Sequence, residues 1–313
     1  MKVYIVKRVL SALVIIWAVA TIVFFAMRIV PADPAQVVLG EYASQEALKA
    51  FRHEMGLDKP LLQQYIEFMG MLSRGDLGRS LITNKPIAGQ IWSLFPYTLT
   101  LTIASMVIGS LIGLPLGIWA AIHKNTAYDY ISRVIALAGF SFPAFYLGFL
   151  LLLIFSVKLG WFPIIHQVRT GSWTEHLYKL ALPALSLGLI QASFVTRLTR
   201  SSMLEALGED YVRTALAKGL KRRTVYFKHV LKNIMIPVIT AIGLYTGTLL
   251  GGAILTEVVF NRPGMGKLLL GAINQRDYNL IQSGLVVFSF IVVIVNLIVD
   301  LTYSFFDPRI KYE

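Results

Sequence analysis

Residues 205–233 read EALGEDYVRTALAKGLKRRTVYFKHVLKN and form the most cation-rich stretch of the chain, between two long apolar segments. Apolar side chains recur there at intervals of three or four residues, which predicts a helix, and Gly219 is a natural C-terminal stop. These apolar positions are Leu204, Leu207, Tyr211, Ala215 and Leu216. A second helical pattern follows from about Arg222 to Leu231. A helix–glycine–helix segment between apolar segments indicates a docking surface for a cytoplasmic partner.

The composition predicts a polytopic membrane protein of the all-α class. Of the 313 residues, 56% are hydrophobic and only 15% are charged, whereas soluble domains have about a quarter charged residues. The net charge of +12 is attributed to anionic lipid headgroups and positively charged cytoplasmic loops, and no nucleic-acid binding is expected. The chain has no Cys, and its five His show no helical pairing that would predict a metal site.

Six apolar segments are long enough to cross about 30 Å of hydrocarbon. They are Val9–Val30, Tyr97–Ile122, Val134–Val157, Leu180–Thr199, Ile234–Thr256 and Ile281–Phe305. The first begins after Lys2, Lys7 and Arg8 and is longer than the apolar part of a signal peptide, so an uncleaved transmembrane helix is predicted. The fourth is the shortest and carries Pro183 near its start.

The distribution of basic residues orients these segments. With the N-terminus inside, the cytoplasmic pieces hold 16 of the 29 Lys and Arg, nine of them between Arg197 and Lys232. We therefore expect both termini to be cytoplasmic. The predicted organisation is a first transmembrane helix (1–30), an extracytoplasmic insertion (31–96), a five-helix core (97–305) that includes a cytoplasmic coupling region (203–233), and a cytoplasmic tail (306–313).

The insertion is predicted to be a small helical structure. Amphipathic patterns cover Gln45–Glu54 and Leu61–Leu72, and the sequence Gly56-Leu57-Asp58-Lys59-Pro60 separates them. Turn residues follow at Gly75, Asp76 and Gly78. A disordered loop is the alternative, but the aromatic and aliphatic side chains of this stretch are too numerous for a solvated tail.

The apolar segments carry few ionisable groups. Ion-coupled carriers place such groups within the bilayer, but segments two, three and five have none in their interiors. Arg28, Glu257 and Asp300 lie at or near segment ends, where snorkelling or local pairing accounts for them. A secondary transporter is therefore disfavoured. Gly109, Gly113 and Gly117 form a row four residues apart that allows close approach of another helix.

The chain lacks the motifs of an ATPase or a hydrolytic enzyme. Its nearest match to a phosphate-binding loop is the stretch from Asn261 to Leu268, which lacks the first Gly and the final Ser or Thr. No nucleophile elbow or zinc-protease helix is present. The sequence therefore predicts a conduit that is not an enzyme and depends on another protein for energy.

Several motifs together resemble those of the inner-membrane permease subunits of ABC importers, in the dipeptide/oligopeptide/nickel branch. They occur in order along nearly the whole chain: Pro31-Ala32-Asp33-Pro34, Leu57-Asp58-Lys59-Pro60, Gly75-Asp76-Leu77-Gly78, Ser141-Phe142-Pro143, Leu182-Pro183-Ala184, Thr199-Arg200-Ser201-Ser202-Met203, Glu209-Asp210-Tyr211-Val212-Arg213-Thr214-Ala215, Arg262-Pro263-Gly264-Met265-Gly266, Arg276-Asp277-Tyr278, Asn296-Leu297-Ile298-Val299-Asp300 and Asp307-Pro308-Arg309. The resemblance implies the type I importer permease fold, in a bacterial cytoplasmic membrane.

The family's cytoplasmic coupling motif reads Glu-Ala-Ala, three further residues, then Gly. Here Arg213-Thr214-Ala215 and Gly219 occupy those places, so that Arg replaces the acidic residue, and Leu216 stands where relatives often have Arg. The resemblance implies that the helix of residues 205–220 moves as a rigid unit and thereby couples ATP hydrolysis by the ATPases to transport. The implied coupling residues are Asp210, Tyr211, Arg213, Thr214, Ala215, Lys218 and Gly219.

The resemblance also implies partners and a mode of transport. A second, related permease chain would share the translocation path, two cytoplasmic ATPase subunits would bind ATP and Mg²⁺, and an extracytoplasmic binding protein would deliver di- or oligopeptides. This chain itself would bind no cofactor. Nickel or a chelated metal is the alternative cargo, and a secondary transporter is the alternative from another class.

Two further groups of residues are predicted to contact the cargo or the partners. Neutral side chains are expected to border the path: Ser105, Ser141, Thr246, Thr248 and Asn296. Segments 31–96 and 257–280 are expected to face the same side, with Glu257, Arg262 and Arg276 as contacts for the binding protein or as part of an outer gate. Local ion pairs on a solvated loop are the alternative for these three.

Overall fold

The computed structural model describes residues 2–29, 34–40, 42–163 and 173–306, and in these residues the regular elements are helices. The predicted all-α class is confirmed. The helices are α1 (Lys2–Ile29), α2 (Pro34–Leu39), α3 (Gln45–Glu54), α4 (Leu61–Ser73), α5 (Ile87–Ile122), α6 (Ala127–Ser141), α7 (Ala144–Leu151, continued by a π-helical segment, Leu152–Lys158), α8 (Trp173–Leu207), α9 (Asp210–Ala217), α10 (Arg222–Thr224, continued by a π-helical segment, Val225–Val230), α11 (Leu231–Val259), α12 (Met265–Gln275) and α13 (Tyr278–Phe306). The motif residues 31–33 and 307–309, His166 and the tail from residue 307 onward lie outside the described residues.

Among the described residues, five helices are long and apolar enough to cross a membrane, and a sixth span results if one bent helix pair is counted as a single crossing. The five are Ile5–Ile29, Ile87–Ile122, Thr174–Leu207, Arg222–Val259 and Tyr278–Leu301. The bent pair is Ala127–Gly139 with Ala144–Lys158, and it corresponds to the third predicted segment.

The third segment is not the single straight helix that its hydropathy suggested. Its two halves are bent by 101°, and the break falls at Phe142, which is extended (φ −93°, ψ 134°). Pro143 follows directly, and a proline disfavours the helical conformation in the residue before it because its ring clashes with that residue's backbone. The Ser141-Phe142-Pro143 motif is therefore a helix break.

The packing of α8 favours counting the bent pair as one crossing of the bilayer. Contacts pair Gly109 with Gly188 and Gly117 with Thr196, so that α5 and α8 run parallel, and two consecutive parallel spans need a return crossing between them. The bent pair provides that return. Asp129, at its start, bonds Arg200, and Gly148 approaches Ser186. These contacts cover 14 residues of α8, or about 21 Å.

The row of glycines on α5 is where α8 packs most closely. A Cβ atom at Gly109 would lie 2.8 Å from the carbonyl oxygen of Gly188, and one at Gly113 would lie 2.8 Å from that of Ala192. The Thr196 hydroxyl also donates a hydrogen bond of 3.3 Å to the Gly113 carbonyl. The predicted close helix approach is confirmed, since only glycine leaves room for backbone at these distances.

The chain divides into two compact units, which are described separately. One comprises Met1–Tyr97 and Pro263–Ile294, and the other comprises Thr98–Arg262 and Val295–Glu313. The first unit groups α1, the insertion and α12, whereas the sequence-based division placed α12 with the transmembrane core. That sequence-based division stays a prediction.

The predicted helical insertion is present within the first unit. The Ser44 side chain caps α3 by accepting a hydrogen bond from the Ala47 amide (3.2 Å), and Gly56 (φ +65°) follows the helix. Between α3 and α4, the hydrogen bond from His53 to Asp58 lowers the pKa of that exposed carboxyl. Aromatic contacts then attach α4 to α1, because Phe68 stacks on Phe24 with ring centroids 5.5 Å apart.

Candidate functional site

The candidate docking helix α9 is a separate two-turn helix. The predicted continuous helix from Leu204 to Leu216 is wrong, because α8 ends at Leu207 and Glu209 is extended (ψ 151°) before α9 begins at Asp210. The Gly219 stop is confirmed. Gly219 has a left-handed φ of +81°, and the Leu220 amide bonds the Ala215 carbonyl across it (3.3 Å).

The second helical pattern, from Arg222 to Leu231, is not an independent short helix. It is the beginning of a continuous span, Arg222–Val259, in which α10 passes through the π-helical segment into α11. The break at Gly208–Glu209 and the turn at Gly219–Lys221 therefore leave α9 as a short connection between two transmembrane helices. A displacement of α9 would be transmitted directly to both of them.

One face of α9 packs on the ends of the membrane helices. Val212 is buried, and Ala215 contacts the same apolar cluster. The buried members of this cluster are Ala121, Met203, Val212, Val225, Val230 and Ile234. Apart from Val212 of α9, they come from the end of α5, the end of α8, the π-helical segment after α10 and the beginning of α11. Burial of their apolar surface holds α9 against the bundle.

The opposite face of α9 is exposed and carries most of the predicted coupling residues. Asp210 and Arg213 form a weak ion pair (3.4 Å) with side chains 94% and 77% exposed, and such exposed pairs contribute little to stability. Tyr211, Thr214 and Lys218 are exposed as well. Of the predicted set, Ala215 alone faces the cluster, and the exposed apolar residue beside it is Leu216.

A buried ion pair that the sequence did not indicate anchors α8 just before α9. Asp129 is fully buried and accepts hydrogen bonds from Arg200 Nε (2.6 Å) and Nη2 (2.9 Å). It also accepts one from the Asn125 amide (3.0 Å), and Arg133 lies at 3.5 Å. Asp129 and Arg200 are 71 positions apart in the sequence. No periodic pattern connects them, so only the tertiary structure reveals this pair.

The residues proposed for the outer gate differ in exposure. Arg276 is exposed, whereas Glu257 is fully buried and accepts a hydrogen bond from the Thr98 hydroxyl (2.6 Å). Arg262 is only 7% exposed. In this conformation Glu257 and Arg262 lie inside the chain near the end of α11, and their role as contacts for a binding protein or as part of an outer gate stays a prediction.

The neighbour of Arg276 links two of the recognised motifs within the first unit. Asp277 is buried and accepts hydrogen bonds from the Ser80 hydroxyl (2.5 Å) and the Leu81 amide (3.1 Å). The Ser283 hydroxyl bonds the Leu77 carbonyl (2.9 Å). The loop after Gly75 and the turn before α13 therefore lie together.

The five predicted path residues do not form one exposed surface. Ser105 is buried and bonds the Leu101 carbonyl of its own helix (2.8 Å). Thr246 and Asn296 are half-buried, whereas Ser141 and Thr248 are exposed. Ser105 is therefore covered by its own chain in this structure, whereas Ser141 and Thr248 are exposed, and the path role of all five residues stays a prediction.

Arg28 at the end of α1 is held locally. Its Nη1 donates to Gln282 (2.5 Å) and its Nε to Gln64 (3.4 Å), and its guanidinium lies 3.8 Å from the centre of the Phe24 ring. This is the local pairing expected from sequence for a charge at a segment end. Among the described residues, no group of three or more His, Cys, Asp or Glu is placed to hold a metal ion.

Two family models match the chain. The model of the binding-protein-dependent transport system inner membrane component matches residues 113–312, and the model of the N-terminal part of such membrane components matches residues 1–102. The solved structures include a chain of the MetNI methionine ABC transporter in an inward-facing form, which is 19% identical with a TM-score of 0.55. That match covers 67% of this chain and 93% of the other, and it shows the fold.

Curated relatives match over almost the full length. The chain is 42% identical to the dipeptide transport system permease protein DppB of Alkalihalophilus pseudofirmus, with 100% of both chains covered. It is 42% identical to the glutathione transport system permease protein GsiC of Escherichia coli K12 (99% of both) and 40% identical to the di/tripeptide transport system permease protein DppB of Pseudomonas aeruginosa (95% of both). The chain therefore belongs to the family of inner-membrane permease components of binding-protein-dependent transport systems.

Proposed function

We propose that this chain is the permease subunit of an ATP-driven importer of di- or oligopeptides. The observation that carries this proposal is its full-length similarity to permeases named for dipeptide, di/tripeptide and glutathione transport. These cargoes are all short peptides, which favours peptides over the alternative of nickel. Membership of the permease family likewise disfavours a secondary transporter.

The proposed partners follow from the family and from the exposed surfaces. A second permease chain shares the path, an extracytoplasmic binding protein delivers the peptide, and two ATPases that bind ATP and Mg²⁺ dock on α9. The membrane is the bacterial inner membrane, with both termini in the cytoplasm. The common location of Lys124, α9 and the beginning of α11 at one end of the helices supports this orientation, because basic residues concentrate on the cytoplasmic side.

The structure makes α9 suitable as the ATPase contact. Its inner face is fixed to the cluster around Val212, while its outer face leaves Tyr211, Arg213 and Leu216 exposed. Movement of a docked ATPase would therefore move the ends of α8 and α11, which is a rigid-body mode of coupling.

Leucine substitutions test the docking role. Leu216 on α9 and Leu220 beyond its end are 38% and 39% exposed, so Leu216→Glu and Leu220→Glu introduce the same change at matched exposure. We expect Leu216→Glu to lower peptide-dependent ATP hydrolysis at least tenfold, the effect of about 1.4 kcal/mol of lost coupling. Leu220→Glu should retain most of it. Equal loss in both variants would contradict docking through the face of α9.

Transport assays test the cargo. The permease, its second permease chain, the ATPases and the binding protein are reconstituted in proteoliposomes, and uptake of a labelled dipeptide and of Ni²⁺ is followed with and without ATP. We expect ATP-dependent uptake of the dipeptide alone. Uptake of Ni²⁺ without uptake of peptide would support the alternative cargo instead.

A further inference from the structure

An apolar groove of about 490 Å³ opens where the end of α5 meets α10 and the π-helical segment after it. Its lining includes Ile118, Trp119 and His123 on one side, and Arg223, Tyr226 and Phe227 on the other. Ile118 and Tyr226 also contact the cluster that holds α9. The groove is therefore built on a firmly packed base and is separate from the exposed face of α9.

The open side of this groove has the character of a membrane interface. Trp119 and Phe227 are 54% and 50% exposed although both are large apolar side chains. The Trp119 ring lies against the His123 ring, with centroids 4.5 Å apart. Trp and Tyr concentrate at the level of lipid headgroups, where one part of the ring is apolar and another can be hydrated.

The charged residue in the lining of the groove is basic. Arg223 lines it, and Lys221, Arg222 and Lys228 are exposed close by in sequence. The lining contains no acidic residue, and no ion pair joins Arg223 to another described residue. An occupant that complements this surface needs an apolar body and an anionic end.

We propose that this groove binds an anionic phospholipid, with an acyl chain against Trp119 and Phe227 and the phosphate at Arg223. Clusters of Lys and Arg at the end of a transmembrane helix attract anionic lipids, and basic pockets between such helices hold their headgroups. A lipid bound there stabilises the base on which α9 packs. If α9 couples the ATPases as proposed, the lipid composition of the membrane therefore affects coupling as well.

Brominated lipids test this proposal, because bromine quenches tryptophan fluorescence on contact. The full transporter is placed in nanodiscs of phosphatidylcholine with increasing brominated phosphatidylglycerol or brominated phosphatidylcholine. Subtraction of the Trp119→Phe signal isolates Trp119. We expect brominated phosphatidylglycerol to reach half-maximal quenching of Trp119 at a roughly fivefold lower mole fraction than brominated phosphatidylcholine. Both leaflets have the same composition, so the result does not depend on orientation.

Two arginine variants supply the control. Arg223 lines the groove, whereas its neighbour Arg222 is exposed and does not. Arg223→Gln should abolish the preference for phosphatidylglycerol, and Arg222→Gln should retain it. Equal quenching by the two lipids in the wild type, or equal effects of the two variants, would overturn the proposal. The proposal would also be overturned if Trp119 were quenched only after removal of the ATPase subunits, because the groove would then be a contact surface for those subunits.

Discussion

At the scale of single residues, the carboxylate of Asp129 is a charge that is fully buried inside the chain. Its carboxylate has no exposed surface and is satisfied by Arg200, whose side chain is 19% exposed, and by a backbone amide. Charges removed from water in this way are stable only while paired and hydrogen-bonded. The pair joins the beginning of α6 to the end of α8, next to the docking helix.

We expect Asp129→Asn to destabilise the protein by about 3–5 kcal/mol, because the Arg200 guanidinium would remain largely buried without its counter-charge. The measurement is the fraction of detergent-purified protein that remains monodisperse after heating. Arg133→Gln is the control, since Arg133 also contacts Asp129 but is 43% exposed. An Asp129→Asn variant as heat-resistant as the Arg133→Gln variant would show that the pair is not needed for stability.

Gly113 provides a second residue-scale test. A side chain there would meet the backbone of α8, because a Cβ would lie 2.7 Å from Val195 and 2.8 Å from the Ala192 carbonyl. Gly113→Leu should cost at least about 1–3 kcal/mol through overpacking and lower the yield of folded protein. Gly251→Leu, where a Cβ meets nothing within 4 Å, should leave the yield near wild type in the same size-exclusion assay.

At the scale of elements, the turn at Gly219 determines where α9 ends and α10 begins. Its φ of +81° is available to glycine and, at modest cost, to asparagine, but is strongly unfavourable for β-branched residues. A Cβ at this position would meet nothing within 4 Å, so the cost of a substitution there is conformational. Gly219 supplies the left-handed residue of the turn between α9 and the following span.

Gly219→Val should therefore change the end of α9 and reduce peptide-dependent ATP hydrolysis several-fold, whereas Gly219→Asn should preserve most of it. The expected difference corresponds to about 1–2 kcal/mol of backbone strain. ATP hydrolysis and peptide uptake of the reconstituted importer are the readouts. Equal activity in the two variants would mean that the left-handed turn is unimportant for coupling.

At the scale of the whole molecule, we expect the translocation path of this permease to have neutral walls. A charged side chain in the path would cost several kcal/mol of free energy whenever a cargo left it unpaired. Peptides with varied side chains would often leave such a charge unpaired, so neutral walls suit this cargo. Of the predicted path residues, Thr248 combines exposure with a position inside the long span that follows α9. We therefore expect Thr248 to border the interface with the second permease chain.

Tryptophan substitutions test that expectation. Nine residues separate Ile239 from Thr248, so the two exposed positions lie on opposite faces of α11. Thr248→Trp should block peptide uptake and leave the affinity of the binding protein for peptide unchanged, whereas Ile239→Trp should support uptake near wild-type rates. Uptake that is normal in Thr248→Trp, or lost equally in both, would place the path elsewhere.

The sequence by itself determined the class, the helices of the insertion, the stop at Gly219 and the close-packing role of the α5 glycines. Each of these follows from local composition, periodicity or a single backbone preference. The tertiary structure decided the break at Phe142, the separation of α9 from α8, the burial of Glu257 and Ser105, and the pairing of Asp129 with Arg200. These features depend on contacts between residues far apart in the chain, or on a choice between helix and turn at one residue. Hydropathy is averaged over many residues, so it does not detect a helix break at one of them. Helical periodicity relates only residues that are close in sequence, so it does not reveal that Asp129 pairs with Arg200, 71 positions away.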